Sequence, residues 1–302
     1  MNALKIILIF CLVSTLTFAT NIPQKEKEAL IALYNTTQGE NWFNSWNLSE
    51  PVDTWYGVSV ENGRVVALNL QFNNLKGNLP HEIGNLSEIQ ELNFFRNSIT
   101  GSIPNTIKNL KKLKVLNIAF NKLNGEIPPS IGLLTKLERL ELFMNEIQGT
   151  IPDEIGNLLN LKVLELYNNN ITGVIPKSIG NLTELESFIV SSNNLTGKLP
   201  SSLSKLKKLK VLSVFDNKLI GLVPNSIGEL KNLEELILSN NAFYGNIPTE
   251  LTNLTKLKVL LLGNNAFKGE LAALKDFFPN LNDFDVKNSE PVGYLVILDQ
   301  DE

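Results

Sequence analysis

An asparagine returns every 24 residues, nine times without a slip: Asn73, Asn97, Asn121, Asn145, Asn169, Asn193, Asn217, Asn241 and Asn265. Four residues after each stands a glycine, from Gly77 to Gly269. In eight of the nine copies a proline follows three residues later, from Pro80 to Pro248. Only the last copy departs, with Ala272. No other feature constrains the chain so tightly. A fixed period without insertions means that one small structural unit is repeated, and such a unit cannot bury its apolar face alone. The copies must stack, each supplying part of its neighbours' core.

One copy, LERLELFMNEIQGTIP from Leu137 to Pro152, shows how the unit works. Leu140 and Leu142 alternate with Glu141, as a strand with one buried face requires, and Leu137 joins the inward set. Asn145 then turns the chain. Its small amide carries donors and acceptors, so it can pair with backbone groups that the turn would otherwise bury unsatisfied. Ile147 returns inward, Gly149 relaxes the backbone and Pro152 stiffens the way out. Ile155 and Leu158 line the rest of the coil.

Lines such as LKVLNIAFNKLNGEIPPSIGLL and LKVLELYNNNITGVIPKSIGNL resemble the plant-type leucine-rich repeat, LxxLxxLxLxxNxLxGxIPxxLGxL, over roughly residues 65–275. The resemblance implies an α/β solenoid: a right-handed superhelix with a parallel β-sheet on its concave side and short 3-10 or loop segments on its convex side. A second short-strand region near the GxIP segment is usual in plant-type members.

The ends differ from the repeats. Residues 1–19 read as a secretory signal peptide, with Lys5 before the apolar run Ile6–Val13 and small residues at Thr17 and Ala19. Cys11 is the single cysteine, and it leaves with that segment; Phe10 before it disfavours a lipoprotein reading. Residues 20–64 read as an N-terminal cap. Ala29, Leu30, Leu33 and Tyr34 sit at helical spacing, and Asn62-Gly63 marks a hairpin turn. Trp42, Trp46, Trp55 and Tyr56 are expected to pack this cap. Plant relatives carry a disulfide here, whereas this chain has Asp53 and Val60. The phrase ALIALYNTTQGENW with TWYGV instead resembles caps of secreted bacterial repeat proteins. Residues 276–302 read as a degenerate repeat, LNDFDVKNSEP, and a closing strand, YLVILDQDE.

Charge excludes some functions. With 27 basic and 31 acidic residues and no basic stripe, there is no electrostatic case for nucleic acid or an anionic membrane. No segment besides the leader is apolar enough to insert. Within the repeats, Lys114, Glu138, Lys162, Glu186, Lys210, Glu234 and Lys258 form a column seven residues before the ladder asparagine. Opposite charges then face each other on adjacent strands, which reads as lateral matching. Val115, Val163, Val211 and Val259 echo it in every second copy, giving a 48-residue superperiod. Sequons at Asn35, Asn47, Asn85, Asn170, Asn181, Asn194 and Asn253 invite glycosylation, although three of them fall on the GNL/TNL position of the repeat.

Subtracting the scaffold leaves the outward strand positions. Two residues before the ladder asparagine stand Phe95, Phe143, Tyr167 and Phe215; one before it stand Phe72, Arg96, Phe120 and Met144. Beside them lie Arg139, Glu141 and Glu165. Aromatic anchors with a polar rim suit protein or peptide recognition, and sugars also stack on aromatic faces. These eleven residues are the candidate ligand-binding set. Glu141 and Glu165 have the spacing of a glycosidase pair, but a flat sheet offers no cleft. The one histidine, His81, lies in the variable segment after Pro80. No catalytic, metal or cofactor site is expected. The reading is a secreted, periplasmic or cell-surface monomer that binds a protein, peptide or carbohydrate. Two alternatives stay open. One is an inhibitor of a secreted enzyme, since polygalacturonase-inhibiting proteins are similar in length and repeat number. The other is an ice-binding solenoid, although the column Lys76, Thr100, Asn124, Gln148, Thr172, Thr196, Ile220, Tyr244 and Lys268 is irregular.

Overall fold

The computed structural model describes residues 22–288. The expected leader at 1–19 and the closing strand YLVILDQDE lie outside the described residues. The repeats form the solenoid that their periodicity demands. An eleven-stranded sheet runs the length of the described chain. Its first pair, Val58–Glu61 and Arg64–Asn69, is the antiparallel cap hairpin. Asn62 and Gly63 both take positive φ, as a two-residue turn of that kind requires. Every later strand pairs in parallel with the same position one repeat away: Leu92 with Leu116, Leu116 with Leu140, Leu140 with Leu164. The degenerate last unit still contributes the strand Asp283–Asp285 beside Val259–Leu261.

Each strand is only three residues long in the repeats proper, because Asn and the following turn end it. After the GxIP segment the chain enters a five-residue 3-10 helix, such as Asp153–Asn157, entered from Pro152 in extended conformation. Short secondary strands form two further parallel sheets. One holds Lys76–Asn78, Ser98–Gly101 and Lys122–Leu123; the other runs from Thr196–Gly197 to Ala266–Lys268. Isolated bridges such as Thr150 to Thr172 continue the line between them. The glycine of the GNL segment marks the tightest stacking. A Cβ on Gly156 would sit 2.6 Å from the Ser178 carbonyl oxygen of the next coil.

The core is a column of aliphatics. Leu137, Leu140, Leu142, Ile155 and Leu158 are fully buried, and their equivalents repeat along the solenoid. Between them runs the asparagine ladder. Asn169 Nδ2 donates to the carbonyls of Leu166, at 2.9 Å, and of Leu142 in the preceding coil, at 3.0 Å. Its Oδ1 accepts from Ile147 N–H at 3.0 Å. Asn121, Asn145, Asn193, Asn217 and Asn241 repeat this pattern. One side chain thus satisfies backbone groups of two coils at once.

The cap closes the first coil. Gln24–Thr36 is helical and buries Ala29, Leu30 and Leu33. Glu26, unremarked by helical periodicity, is also buried. Its carboxylate accepts from Arg64 Nε at 2.6 Å and Val65 N–H at 2.9 Å, so it clamps the start of the first repeat strand. Trp42, Trp46 and Trp55 are buried and stack with Tyr34 as a cluster. Tyr56 corrects the expectation for this group: it is 47% exposed. Among the described residues no helix is long and apolar enough to cross a membrane.

The charge column resolves into discrete pairs. Lys162 reaches Glu138 at 2.7 Å, Lys210 reaches Glu186 at 2.6 Å and Lys258 reaches Glu234 at 2.5 Å. There is one pair per 48-residue block, as the superperiod anticipates. The hydrogen bond from each lysine holds its glutamate below the usual carboxylate range. A depressed carboxyl adds stability above its unfolded pKa and loses it as pH falls through the folded value. These groups lie in solvent, so salt screens the effect.

The ladder and the charge column therefore predict opposite outcomes. Asn169→Ala strands one N–H and two carbonyls and should cost about 2–4 kcal/mol in urea denaturation. Lys210→Gln should shift the midpoint only slightly, and the shift should vanish in 1 M salt. An Asn169→Ala loss below about 0.5 kcal/mol would remove the ladder from the account.

Candidate ligand-binding face

The outward face of the main sheet carries a continuous chain of rings across five repeats. Phe72 meets Phe95 edge-on at 5.3 Å between centroids, and Phe95 meets Phe120 likewise at 5.3 Å. Phe120 meets Phe143 at 5.6 Å, and Phe143 stacks on Tyr167 at 4.4 Å and 8°. Phe95 and Phe143 belong to repeats two apart, where strands are about 9.6 Å apart, yet their centroids approach to 6.3 Å. The residue between them is Ala119, fully buried. A small side chain there lets the flanking rings lean together. The edge-on and stacked geometries are the favourable ones for aromatic pairs.

Backbone conformation singles out the second column. Phe72, Arg96, Phe120 and Met144 all have φ between 53° and 55°. Left-handed backbone costs an ordinary L-residue about 1–2 kcal/mol, which Asn and Asp largely avoid. At the same position later repeats hold Asn168, Asp216, Asn240 and Asn264, with Ser192 between. The N-terminal repeats thus keep two phenylalanines, an arginine and a methionine where the backbone favours Asn. Strain retained at one end of a regular array points to a use for those side chains. Arg96 is sandwiched: its guanidinium carbon lies 5.7 Å from the Phe72 ring centre and 5.8 Å from that of Phe120.

The polar border lies on strands Arg139–Glu141 and Val163–Glu165. Arg139 Nη2 donates to Glu141 Oε1 at 2.6 Å on the same strand, and Glu141 is buried. Glu141 and Glu165 face each other in register on adjacent strands. Burial, and then the neighbouring Glu141 charge, push the Glu165 carboxyl above its ordinary range. Burial and both glutamates also raise the Tyr167 hydroxyl. The hydrogen bond to Glu141 raises Arg139 in turn.

Ten of the eleven residues expected from sequence lie on these five adjacent repeats. Phe143 and Glu141 are each only 9% exposed, so they support the surface more than they present it. Phe215 stands apart. Ser191 fills the aromatic position between it and Tyr167, and Phe215 makes no ring contact among the described residues. Sequence reasoning missed Phe43. This cap residue is 76% exposed and borders a shallow depression of about 210 Å³ with Phe72, Asn74, Arg96, Asn97 and Ser98. Its only sequence signal was a Phe among the tryptophans of the cap. Among the described residues no group of three His, Cys, Asp or Glu side chains could hold a metal ion. His81 is exposed beside Glu82, away from this face.

Known proteins share this architecture. A family model for a leucine-rich repeat region matches residues 64–167 and 144–286. The leucine-rich repeat ectodomain of the Arabidopsis thaliana receptor kinase GASSHO1/SCHENGEN3, solved with CASPARIAN STRIP INTEGRITY FACTOR 2, superposes with a TM-score of 0.81 at 33% identity. That match covers 86% of this chain and 33% of the ectodomain. The Arabidopsis receptor kinase HAESA, solved with the peptide hormone IDA and the co-receptor SERK1, gives 0.64 at 25% identity, over 87% of this chain and 53% of that one. A plant ice-binding protein gives 0.62 at 25% identity, over 82% of this chain and 89% of that one. An Arabidopsis thaliana protein described as a probable leucine-rich repeat receptor-like protein kinase is 39% identical over 92 residues. The match spans 30% of this chain and 9% of that kinase.

Two outcomes follow from the geometry. Met144→Asn relieves left-handed strain without breaking a ring contact, and should raise stability by about 1 kcal/mol; a loss of that size would contradict the strain argument. A carboxyl raised in the folded state contributes stability below its unfolded pKa and loses it as pH rises through the folded value. Glu165→Gln should therefore melt higher than wild type at pH 7, with the difference closing below about pH 4. A Glu165→Gln protein less stable at pH 7 would reverse that assignment.

Proposed function

The chain belongs to the leucine-rich repeat family, and on that premise we propose that it is an exported binding module. It takes a protein, peptide or glycan ligand on the outward sheet face of its N-terminal repeats. The observation that carries this reading is the unbroken ring chain from Phe72 to Tyr167, in which Phe72 and Phe120, like their neighbours Arg96 and Met144, hold left-handed positions that forgo the residues their backbone favours. Contiguous aromatic surface with a polar rim is the usual anchor of a recognition site. The ligands held by the GASSHO1/SCHENGEN3 and HAESA structures support the same class of use. The leader-like residues 1–19 support export.

Binding fits this face better than catalysis does. Arg139 neutralises Glu141, and the shallow depression beside Phe43 is not lined by either glutamate. A general acid needs a desolvated cleft and an oriented substrate, which a flat sheet does not supply. Inhibition of a secreted enzyme would use this same surface. Ice binding is a second reading, favoured by the length match to the plant ice-binding protein. Against it, Thr172 and Thr196 spend their hydroxyls on the carbonyls of Gly149 and Gly173, and Ile220, Tyr244 and Lys268 break the column.

Random-peptide display and a glycan array, each screened with wild type and with a Phe95→Ser/Phe143→Ser/Tyr167→Ser variant, test the proposal. The variant should keep the wild-type circular dichroism and lose retained ligands by roughly thirtyfold or more, as expected for central aromatic anchors. Equal retention by the folded variant would sink the binding face. Thermal hysteresis by wild type would favour the ice-binding reading instead.

A further inference from the structure

Ile220 and Tyr244, which break the threonine column, belong to a second exposed surface. Of the ten large hydrophobic side chains exposed among the described residues, four stand on the flank that follows the ladder asparagines. They are Val174, Ile220, Leu222 and Tyr244, each between 37% and 56% exposed. The strand Lys218–Gly221 shows how they come to face water. Lys218, Ile220 and Leu222 point outward, while Leu219, Gly221 and Val223 between them are buried. Parallel pairing carries the alternation across neighbouring coils: Val174 bridges to Thr196, Thr196 pairs with Lys218, and Ile220 with Ala242. Three coil steps of about 4.8 Å separate Val174 from Tyr244, so the four form one patch.

The repeat's glycine lets these side chains lie flat. A Cβ on Gly197 would sit 2.8 Å from Val174 Cγ1, and one on Gly221 would sit 2.9 Å from Lys198 Cγ. A Cβ on Gly245 would strike Leu222. Each of the three side chains therefore rests on the next coil, over ground that any larger residue would take. Lys198 lays its methylenes along the sheet and remains exposed, the posture that keeps an ammonium in water above an apolar surface.

Charge on this flank has one sign. Residues 170–177, 194–201, 218–225 and 242–249 follow four successive ladder asparagines. They contain Lys177, Lys198 and Lys218 and no aspartate or glutamate. All three lysines are exposed, and none makes an ion pair among the described residues. Carboxylates return at the borders: Glu146 and Asp153 in the coil before, Glu270 in the coil after, Asp216 toward the main sheet and Glu250 toward the convex side. The chain-wide balance of 27 basic and 31 acidic residues conceals this segregation.

We propose that this flank docks on an anionic lipid surface. Val174, Ile220, Leu222 and Tyr244 enter the headgroup layer, and the three lysines lie against its phosphates. The inference uses none of the eleven residues of the aromatic face and does not depend on the ligand-binding reading. Aliphatic side chains and a tyrosine beside unpaired lysines are what settles at a bilayer interface, where apolar burial and attraction to anionic headgroups add. A protein partner fits less well. Lysine is depleted from protein interfaces, and four partly exposed side chains fall short of the area a stable complex buries. A second copy of the same flank would face lysine with lysine.

Vesicle flotation tests the proposal. It uses the unglycosylated chain without its leader-like residues 1–19, since an apolar leader binds lipid by itself. One set of vesicles holds equal parts of phosphatidylglycerol and phosphatidylcholine, the other phosphatidylcholine alone. Wild type should float with the mixed vesicles, and its partitioning should fall roughly a hundredfold on phosphatidylcholine, about fivefold for each lysine. Lys198→Gln/Lys218→Gln should lose roughly twenty-fivefold on the mixed vesicles. Leu222→Ser/Tyr244→Ser should lose about tenfold and keep the preference for phosphatidylglycerol. Both should retain the wild-type circular dichroism, and the Phe95→Ser/Phe143→Ser/Tyr167→Ser variant should bind vesicles as wild type does. Wild type that floats with neither vesicle would overturn the proposal, as would flank variants that float unchanged. Equal flotation on both vesicles would overturn the lysine assignment. Retention of a glutamate–tyrosine copolymer with no vesicle binding would give the flank a protein partner instead. Glycans found at Asn170 or Asn194 of the exported protein would also overturn it, because both sequons stand on this flank.

Discussion

Everything in this molecule depends on the side-chain amide that closes each strand. A 24-residue coil turns sharply back on itself, and the turn points backbone donors and acceptors inward. Asn169 answers with an amide that bonds its own coil and the previous one together. The leucines can pack as a dry column only because that polar corner is satisfied. Repetition follows from the same fact: an amide that reaches into the preceding coil needs a preceding coil of identical geometry.

Such a scaffold frees the outward strand positions from structural duty, but not entirely. The residue before each ladder asparagine is forced into left-handed backbone, so fold and surface compete there. In the C-terminal repeats the fold prevails, with Asn168, Asp216, Asn240 and Asn264. In the N-terminal repeats the surface prevails, with Phe72, Arg96, Phe120 and Met144. The boundary between the two regimes falls where the ring chain ends at Tyr167. Ring contact and backbone strain mark the same stretch of the solenoid, and Phe72 and Phe120 carry both.

The repeat made the solenoid, the ladder and most of the face legible in advance, because a position in one copy is the same position in every copy. Its limits were equally physical. Glu26 interrupts an apolar helix face as a carboxylate, so helical periodicity does not mark it, whereas the first strand needed an acceptor. Tyr56 was grouped with the tryptophans by composition, although it lies outside their cluster. Glu141 alternates outward and is nevertheless buried, because its partner Arg139 lies on the same strand. The left-handed column was available to be read: three asparagines and an aspartate at one repeat position signal positive φ. What no sequence pattern could supply was the lean of Phe95 and Phe143 over Ala119.

The central claim is that ligand contact falls on this face and nowhere else on the solenoid. Hydroxyl-radical footprinting of the protein, free and with a captured ligand, measures that directly. The account predicts lost reactivity at Phe72, Phe95, Phe120, Met144 and Tyr167, with Leu133, Leu159 and Tyr244 on the other faces unchanged. Protection at Leu133, Leu159 or Tyr244, with the ring chain still reactive, would contradict it.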